Sequence, residues 1–209
     1  MNWDEYRKRY STLTFKEKKR LIEHWYHLYP KQTGYAINLP FFIRCIDKVI
    51  KQTKRKNISL VEYGGHDGSL AALVMQKHNQ LNWINIDIIP HTVKKQLENY
   101  NYREYVLEDE LWIERPNFKD YDVFISSSTL EHISDEEIMQ LFDYIRSQEI
   151  KYLVLLVTTT PKGSTWKNYN GAHVLRTGSI GLKKMLSERG YKLLEEDSQR
   201  IKWCSFWRL

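Results

Sequence analysis

The chain has 209 residues, 42% apolar and 28% charged, the size and balance of one folded domain rather than of a disordered chain. Its longest aliphatic stretch, Leu153 to Val157, is far short of the ~20 apolar residues that a membrane helix needs. Two cysteines, Cys45 and Cys204, lack metal-ligand spacing, and the N-terminus is charged where an export signal is apolar, so the expectation is a cytoplasmic protein with no membrane contact and no metal site.

The net charge of +6 is unevenly placed: residues 1–56 hold 14 Lys+Arg against 5 Asp+Glu, and the remainder holds 18 against 21. The chain thus divides into a basic leader, 1–56, and a mildly acidic body, 57–209. In the leader, Thr14 and Glu17 form a capping-box pattern, and Phe15, Ile22, Trp25, Tyr26 and Tyr29 recur at helical spacing until Pro30. A second leader helix is expected to carry Pro40 in its first turn and Phe42, Ile46, Val49 and Ile50 as its apolar stripe. Both helices are expected beside the carboxyl edge of the sheet, with Thr33-Gly34-Tyr35 nearest the ligand.

From Asn57 short apolar runs alternate with helical stretches. Strands are expected at Ile58–Tyr63, Trp83–Ile88, Glu104–Leu107, Tyr121–Ser126, Tyr152–Val157, Tyr191–Glu196 and Lys202–Arg208. Helices are expected at Gly68–His78, at about His91–Tyr100, after the Ser134/Glu137 capping box, and at Ser179–Arg189. Alternation of this kind builds an α/β fold on a mainly parallel sheet. The last two strands, joined by a short turn, are antiparallel to each other, because a parallel pair needs a long crossover. Ligands of such sheets bind outside the carboxyl ends of the strands.

At that edge the first strand runs into Glu62-Tyr63-Gly64-Gly65-His66-Asp67-Gly68. A glycine-rich turn before a helix N-terminus lets backbone N–H groups approach a ligand and favours negative charge there. A GxGxxG dinucleotide fingerprint anchored at Gly64 fails at His66 and Ser69, and no P-loop Lys-Ser/Thr follows. Asp87 ends the second strand, where a carboxylate accepts both hydroxyls of a ribose, so a ribose-bearing cofactor is expected.

These motifs resemble the class I S-adenosylmethionine-dependent methyltransferases, particularly the set acting on small molecules and sugars. Glu62, Gly64 and Gly68 match the first motif, while His66 replaces its middle glycine; Asp87, within Ile86-Asp87-Ile88, matches the ribose acid; Asp109, with Glu108 as neighbour, matches the acid near the adenine amino group. Tyr121-Asp122 through Leu130-Glu131-His132 resembles the fourth-strand signature, and His173-Val174-Leu175-Arg176 the family's histidine-containing segment. The resemblance implies a Rossmann-like seven-stranded, mostly parallel sheet with helices on both faces, an antiparallel last strand, and the leader as an N-terminal helical extension. It further implies S-adenosylmethionine held by Glu62, Gly64, Gly65, His66, Gly68, Asp87, Ile88, Asp109 and Ser127, and methyl transfer to a small-molecule acceptor.

Methyl transfer is an in-line displacement that depends mainly on alignment, and a base is needed only where the acceptor must lose a proton. His132 and His173 are the candidate bases, with Trp166, Tyr169 and Asn170 as acceptor contacts. A second reading, an RNA methyltransferase or nucleic-acid-binding protein, rests on the basic leader. A third, a non-catalytic partner subunit, rests on His66. The methyl acceptor and the oligomeric state are left open.

Overall fold

Strands covered on both faces need no polar side, and the near-continuous apolar runs of the body follow that pattern. The computed structural model describes residues 13–14, 16–20, 35–55, 57–88, 95–107, 117–159, 175, 177–199 and 202–209. Within them lie α1 (Tyr35–Thr53), β1 (Ser59–Tyr63), α2 (Ser69–Lys77), β2 (Asn82–Asp87), β3 (Asn101–Val106) and β4 (Val123–Ser127), followed by α3 (Asp135–Ser147), β5 (Tyr152–Thr158), α4 (Gly178–Glu188), β6 (Lys192–Gln199) and β7 (Lys202–Arg208). The seven strands form one sheet in the order β3-β2-β1-β4-β5-β7-β6. Strands β1 to β5 pair in parallel, and β7 runs antiparallel to both β5 and β6. The expected seven-stranded Rossmann-like architecture, with its antiparallel last strand, is the one observed.

Alternation along each strand sends side chains to two cores. On one face Val61, Phe124, Leu153 and Leu155 pack with Ile138, Leu141 and Phe142 of α3 and Leu182 and Leu186 of α4. On the other, Leu60, Ile125, Val154 and Phe206 pack with Leu70, Ala71 and Val74 of α2 and Phe42, Cys45, Ile46 and Val49 of α1. Strand β7 serves both cores: Trp203 and Trp207 face the first, with ring centroids 6.4 Å apart, and Cys204 and Phe206 the second. Among the described residues no helix is long and apolar enough to cross a membrane.

The second leader helix differs from its expected place. α1 begins at Tyr35, so Pro40 lies inside it rather than in its first turn. It lies along a face of the sheet, because its stripe of Phe41, Phe42, Cys45, Ile46 and Val49 is buried there and removing that much apolar surface from water outweighs any edge position. Its C-terminal end is tied to the amino edge, where the Tyr152 hydroxyl donates to Gln52 and Arg55 donates to Asp122. The core is therefore continuous across the 56/57 division.

Of the first leader helix, residues 16–20 are described and helical. The Thr14/Glu17 capping box is formed, with Glu17 N–H donating to Thr14 Oγ1 at 3.3 Å and Thr14 N–H to Glu17 Oε2 at 2.8 Å. Lys18 pairs with Glu137 at 2.8 Å, both side chains 15% exposed. Glu137 also closes the α3 capping box with Ser134, so this part of the leader docks where α3 starts. Thr33 and Gly34, expected nearest the ligand, lie outside the described residues. The helix expected near His91–Tyr100 is, in its described part, a short 3-10 helix, Lys95–Asn99.

Candidate active site

Strand order reverses at β1, with β2 and β3 on one side and β4 and β5 on the other. Such a reversal opens a crevice at the carboxyl ends of the two strands beside it, here β1 and β4. Gly64, one residue past β1, has φ +74° and donates its N–H to the Ile86 carbonyl at 2.7 Å. A Cβ at Gly64 would stand 2.7 Å from the Thr129 Cβ and closer still to its Cγ2 and Oγ1. Thr129 Oγ1 in turn donates toward the carbonyls of Gly64 (3.2 Å) and Ser127 (3.3 Å). The two sides of the crevice touch through this threonine.

The turn itself is laced to β2. Gly65 N–H donates to Asn85 Oδ1 (2.9 Å), His66 N–H donates to Asp87 Oδ2 (3.0 Å), and Asn85 Nδ2 donates to the His66 carbonyl (3.0 Å). Asp87 is 6% exposed, and its Oδ1 accepts from Ile88 N–H at 2.7 Å. His66 has φ +52°, and its Nδ1 lies 3.5 Å from Asp67 Oδ1. Gly68, at φ +73°, sits where α2 starts.

Glu62 is fully buried, and its Oε2 accepts from the Trp83 indole N–H at 3.1 Å. Burial pushes its carboxyl up to about 8, helped by the negative charges of Asp87 and Asp67 and opposed by the Trp83 hydrogen bond. Among the described residues its Oε1 meets no partner, and neither does the buried Ser127 hydroxyl at the end of β4. Two orphaned polar atoms beside a bare glycine turn leave hydrogen-bonding capacity for a bound molecule, so these residues fit a polar, ribose-bearing cofactor.

Beyond β4, Ser128 takes φ +57° and donates its N–H to the Leu156 carbonyl, turning the chain into the short 3-10 helix Leu130–His132. His132 is half-buried there, and Glu131, 1% exposed, accepts from Thr158 Oγ1 at 2.6 Å at the end of β5. The structure thus brings together Glu62, Gly64, Gly65, His66, Gly68, Asp87 and Ile88 on one side and Ser127 and His132 on the other. Asp109, its neighbour Glu108, His173, Trp166, Tyr169 and Asn170 lie outside the described residues. Asp122 of the fourth-strand signature is at the opposite, amino edge, where Oδ2 accepts from Ser59 N–H (3.0 Å) and Oδ1 from Arg55 (2.6 Å).

Sequence reasoning missed Asn85, Trp83, Thr129 and Thr158. One signal was present for Asn85: a polar residue in the otherwise apolar Trp83-Ile84-Asn85-Ile86. Thr129 and Thr158 carry no pattern of their own, because their roles depend on which strands become neighbours.

The fold is that of the class I S-adenosylmethionine-dependent methyltransferases. Solved structures that share it include the mitomycin 7-O-methyltransferase MmcR, at 13% identity and TM-score 0.65, covering 94% of this chain and 61% of that one. The magnesium protoporphyrin IX methyltransferase from Synechocystis PCC 6803, with bound SAH, matches at 14% identity and TM-score 0.59, covering 89% and 92%. The small RNA methyltransferase HEN1 matches at 16% identity and TM-score 0.59, covering 79% of this chain and 24% of that one. This chain spans about half the length of several methyltransferase structures that it matches. No protein-family model matches it, and no curated protein matches it by sequence.

Proposed function

We propose that this chain is a cytoplasmic S-adenosylmethionine-dependent methyltransferase acting on a small-molecule acceptor. The observation that carries the reading is the meeting of the glycine turn, Asp87 and the β4 turn at the point where strand order reverses. Asp87 would hold the ribose hydroxyls, the Gly64–Gly68 backbone and Ile88 the adjoining part of the cofactor, Asp109 the adenine amino group, and Glu62, His66 and Ser127 its amino-acid end. When bound, the cofactor supplies an electrophilic methyl group on a sulfonium. The chain's own task is to orient the acceptor and exclude water. With an acceptor that must lose a proton, His132 or His173 takes it. Residues 57–209 would carry the cofactor, with the basic leader as their extension.

Calorimetry with S-adenosylmethionine and its demethylated product tests the reading. Asp87→Ala removes two charge-assisted hydrogen bonds to the ribose and is expected to weaken binding by about 2–4 kcal/mol. No heat with either ligand, or undiminished affinity in the variant, refutes it. Once an acceptor is found, His132→Ala should lower turnover by about 100-fold with little change in cofactor affinity if His132 is the base. The excess positive charge of residues 1–56 favours RNA as the second reading; it requires RNA affinity that falls steeply with salt.

A further inference from the structure

His66 is the one residue in the glycine turn that departs from the pattern the chain resembles, and its backbone is the least favourable there. A side chain at φ +52° sits in the left-handed region, at a cost of about 1–2 kcal/mol. Hydrogen bonds to two side chains of β2 hold this stretch, and Asn85 makes two of them. Asn85 accepts from Gly65 N–H through Oδ1 and donates to the His66 carbonyl through Nδ2; His66 N–H donates to Asp87.

Asn85 is 1% exposed. An amide buried in an apolar strand is costly unless its polar atoms are bonded, and this one spends both an acceptor and a donor on the turn. The turn also lies flat against it. A Cβ at Gly65 would stand 2.6 Å from the Glu62 carboxyl carbon and closer to Asn85 Oδ1. A Cβ at Gly68 would meet the Tyr102 hydroxyl at 2.9 Å.

We propose that Asn85 is a positioning residue for the cofactor turn: it clasps the peptide units around His66 in the left-handed course that glycine would adopt unaided, and so keeps the turn in register with Asp87. The link to the cofactor rests on the function proposed above; the clasp itself is a property of the free protein. In this chain the turn's shape is thereby set by a side chain of β2 as well as by its own glycines.

The experiment measures amide hydrogen exchange and product-cofactor affinity on the full chain, for the unsubstituted protein, Asn85→Ala and Asn85→Asp. Asn85→Ala removes the acceptor of Gly65 N–H and the donor to the His66 carbonyl, loosening the turn while His66 N–H keeps its bond to Asp87. The Gly65 and His66 amides should then exchange about 10-fold faster or more, and S-adenosylhomocysteine should bind about 10-fold more weakly.

Asn85→Asp is close to isosteric and keeps the test available if Asn85→Ala does not fold. It retains the acceptor for Gly65, but it can donate to the His66 carbonyl only while protonated, among Glu62, Asp67, Asp87, His66 and Tyr102. Relative to the unsubstituted protein, its amide protection and affinity should therefore fall as pH rises from about 5 to 8. A packing role alone gives no such trend. Unchanged Gly65 and His66 exchange in Asn85→Ala, or a pH-independent ratio in Asn85→Asp, overturns the clasp. Faster exchange in a protein that gives no heat with S-adenosylhomocysteine upholds the clasp and refutes the cofactor reading.

Discussion

Gly64 and Thr129 meet across the crevice between β1 and β4, and the contact has a size that can be worked out. In Gly64→Ala the new methyl group meets two separate penalties. Its φ of +74° costs an alanine about 1–2 kcal/mol. Its Cβ, 2.7 Å from the Thr129 Cβ, overlaps that side chain, and overpacking of this kind costs about 1–3 kcal/mol. The expected total is about 2–5 kcal/mol. Thr129→Gly alone loses the hydrogen bond to the Gly64 carbonyl and gains backbone freedom, about 1–2 kcal/mol. In the double variant the overlap vanishes while the φ penalty stays, so the pair should be less destabilised than the sum by about 1–3 kcal/mol. Urea unfolding followed by tryptophan fluorescence measures this, since Trp83, Trp203 and Trp207 are buried. Additivity within about 0.5 kcal/mol, or a Gly64→Ala loss below about 1 kcal/mol, would refute the reasoning.

Two further outcomes follow from burial. Glu62 is held protonated by the fold up to about 8 but ionises near 4.5 in the unfolded chain. The folded state therefore binds more protons between those values, and stability should fall as pH rises through that interval, by about 1.4 kcal/mol per pH unit, then level off. Glu62→Gln should flatten the profile, and urea midpoints at pH 5 and pH 9 check it. Asp122→Ala strips a partner from the Ser59 N–H and should cost about 1–3 kcal/mol, whereas Arg55→Ala, whose side chain is 54% exposed, should cost under about 1 kcal/mol; thermal unfolding of the two variants compares them.

Features with local causes were legible in the sequence. The Thr14/Glu17 and Ser134/Glu137 boxes close as written, because capping is settled within four residues. Buried strands such as β5 stood out as unbroken apolar runs, and β7 has the expected bounds. The glycine turn and Asp87 could be placed at the carboxyl edge because a strand-turn-helix unit directs them there. What depended on partners far along the chain was not legible. α1 shows the same apolar stripe whether it covers an edge or a face, and only the packed sheet decides between them. Asp122, part of a signature that otherwise points to the site, serves the opposite edge as an anchor for the Arg55–Ser59 junction. The Trp83 indole bond to Glu62 needs the β1–β2 register, which brings Glu62 opposite Asn85.

The position of β7 has a consequence for the order in which the sheet can be assembled. β6 pairs with β7 and β7 with β5, so β6 reaches the rest of the sheet only through a strand that follows it in the chain. During synthesis the run from β1 to β5 can pair as it emerges, while Val154 and Leu156 of β5 wait for their partners Phe206 and Cys204 to complete the core on their face. Residues 202–208 thus act as a closing wedge, and until they arrive the partly made sheet has an apolar open edge, the kind of surface that chaperones hold and that stray strands join.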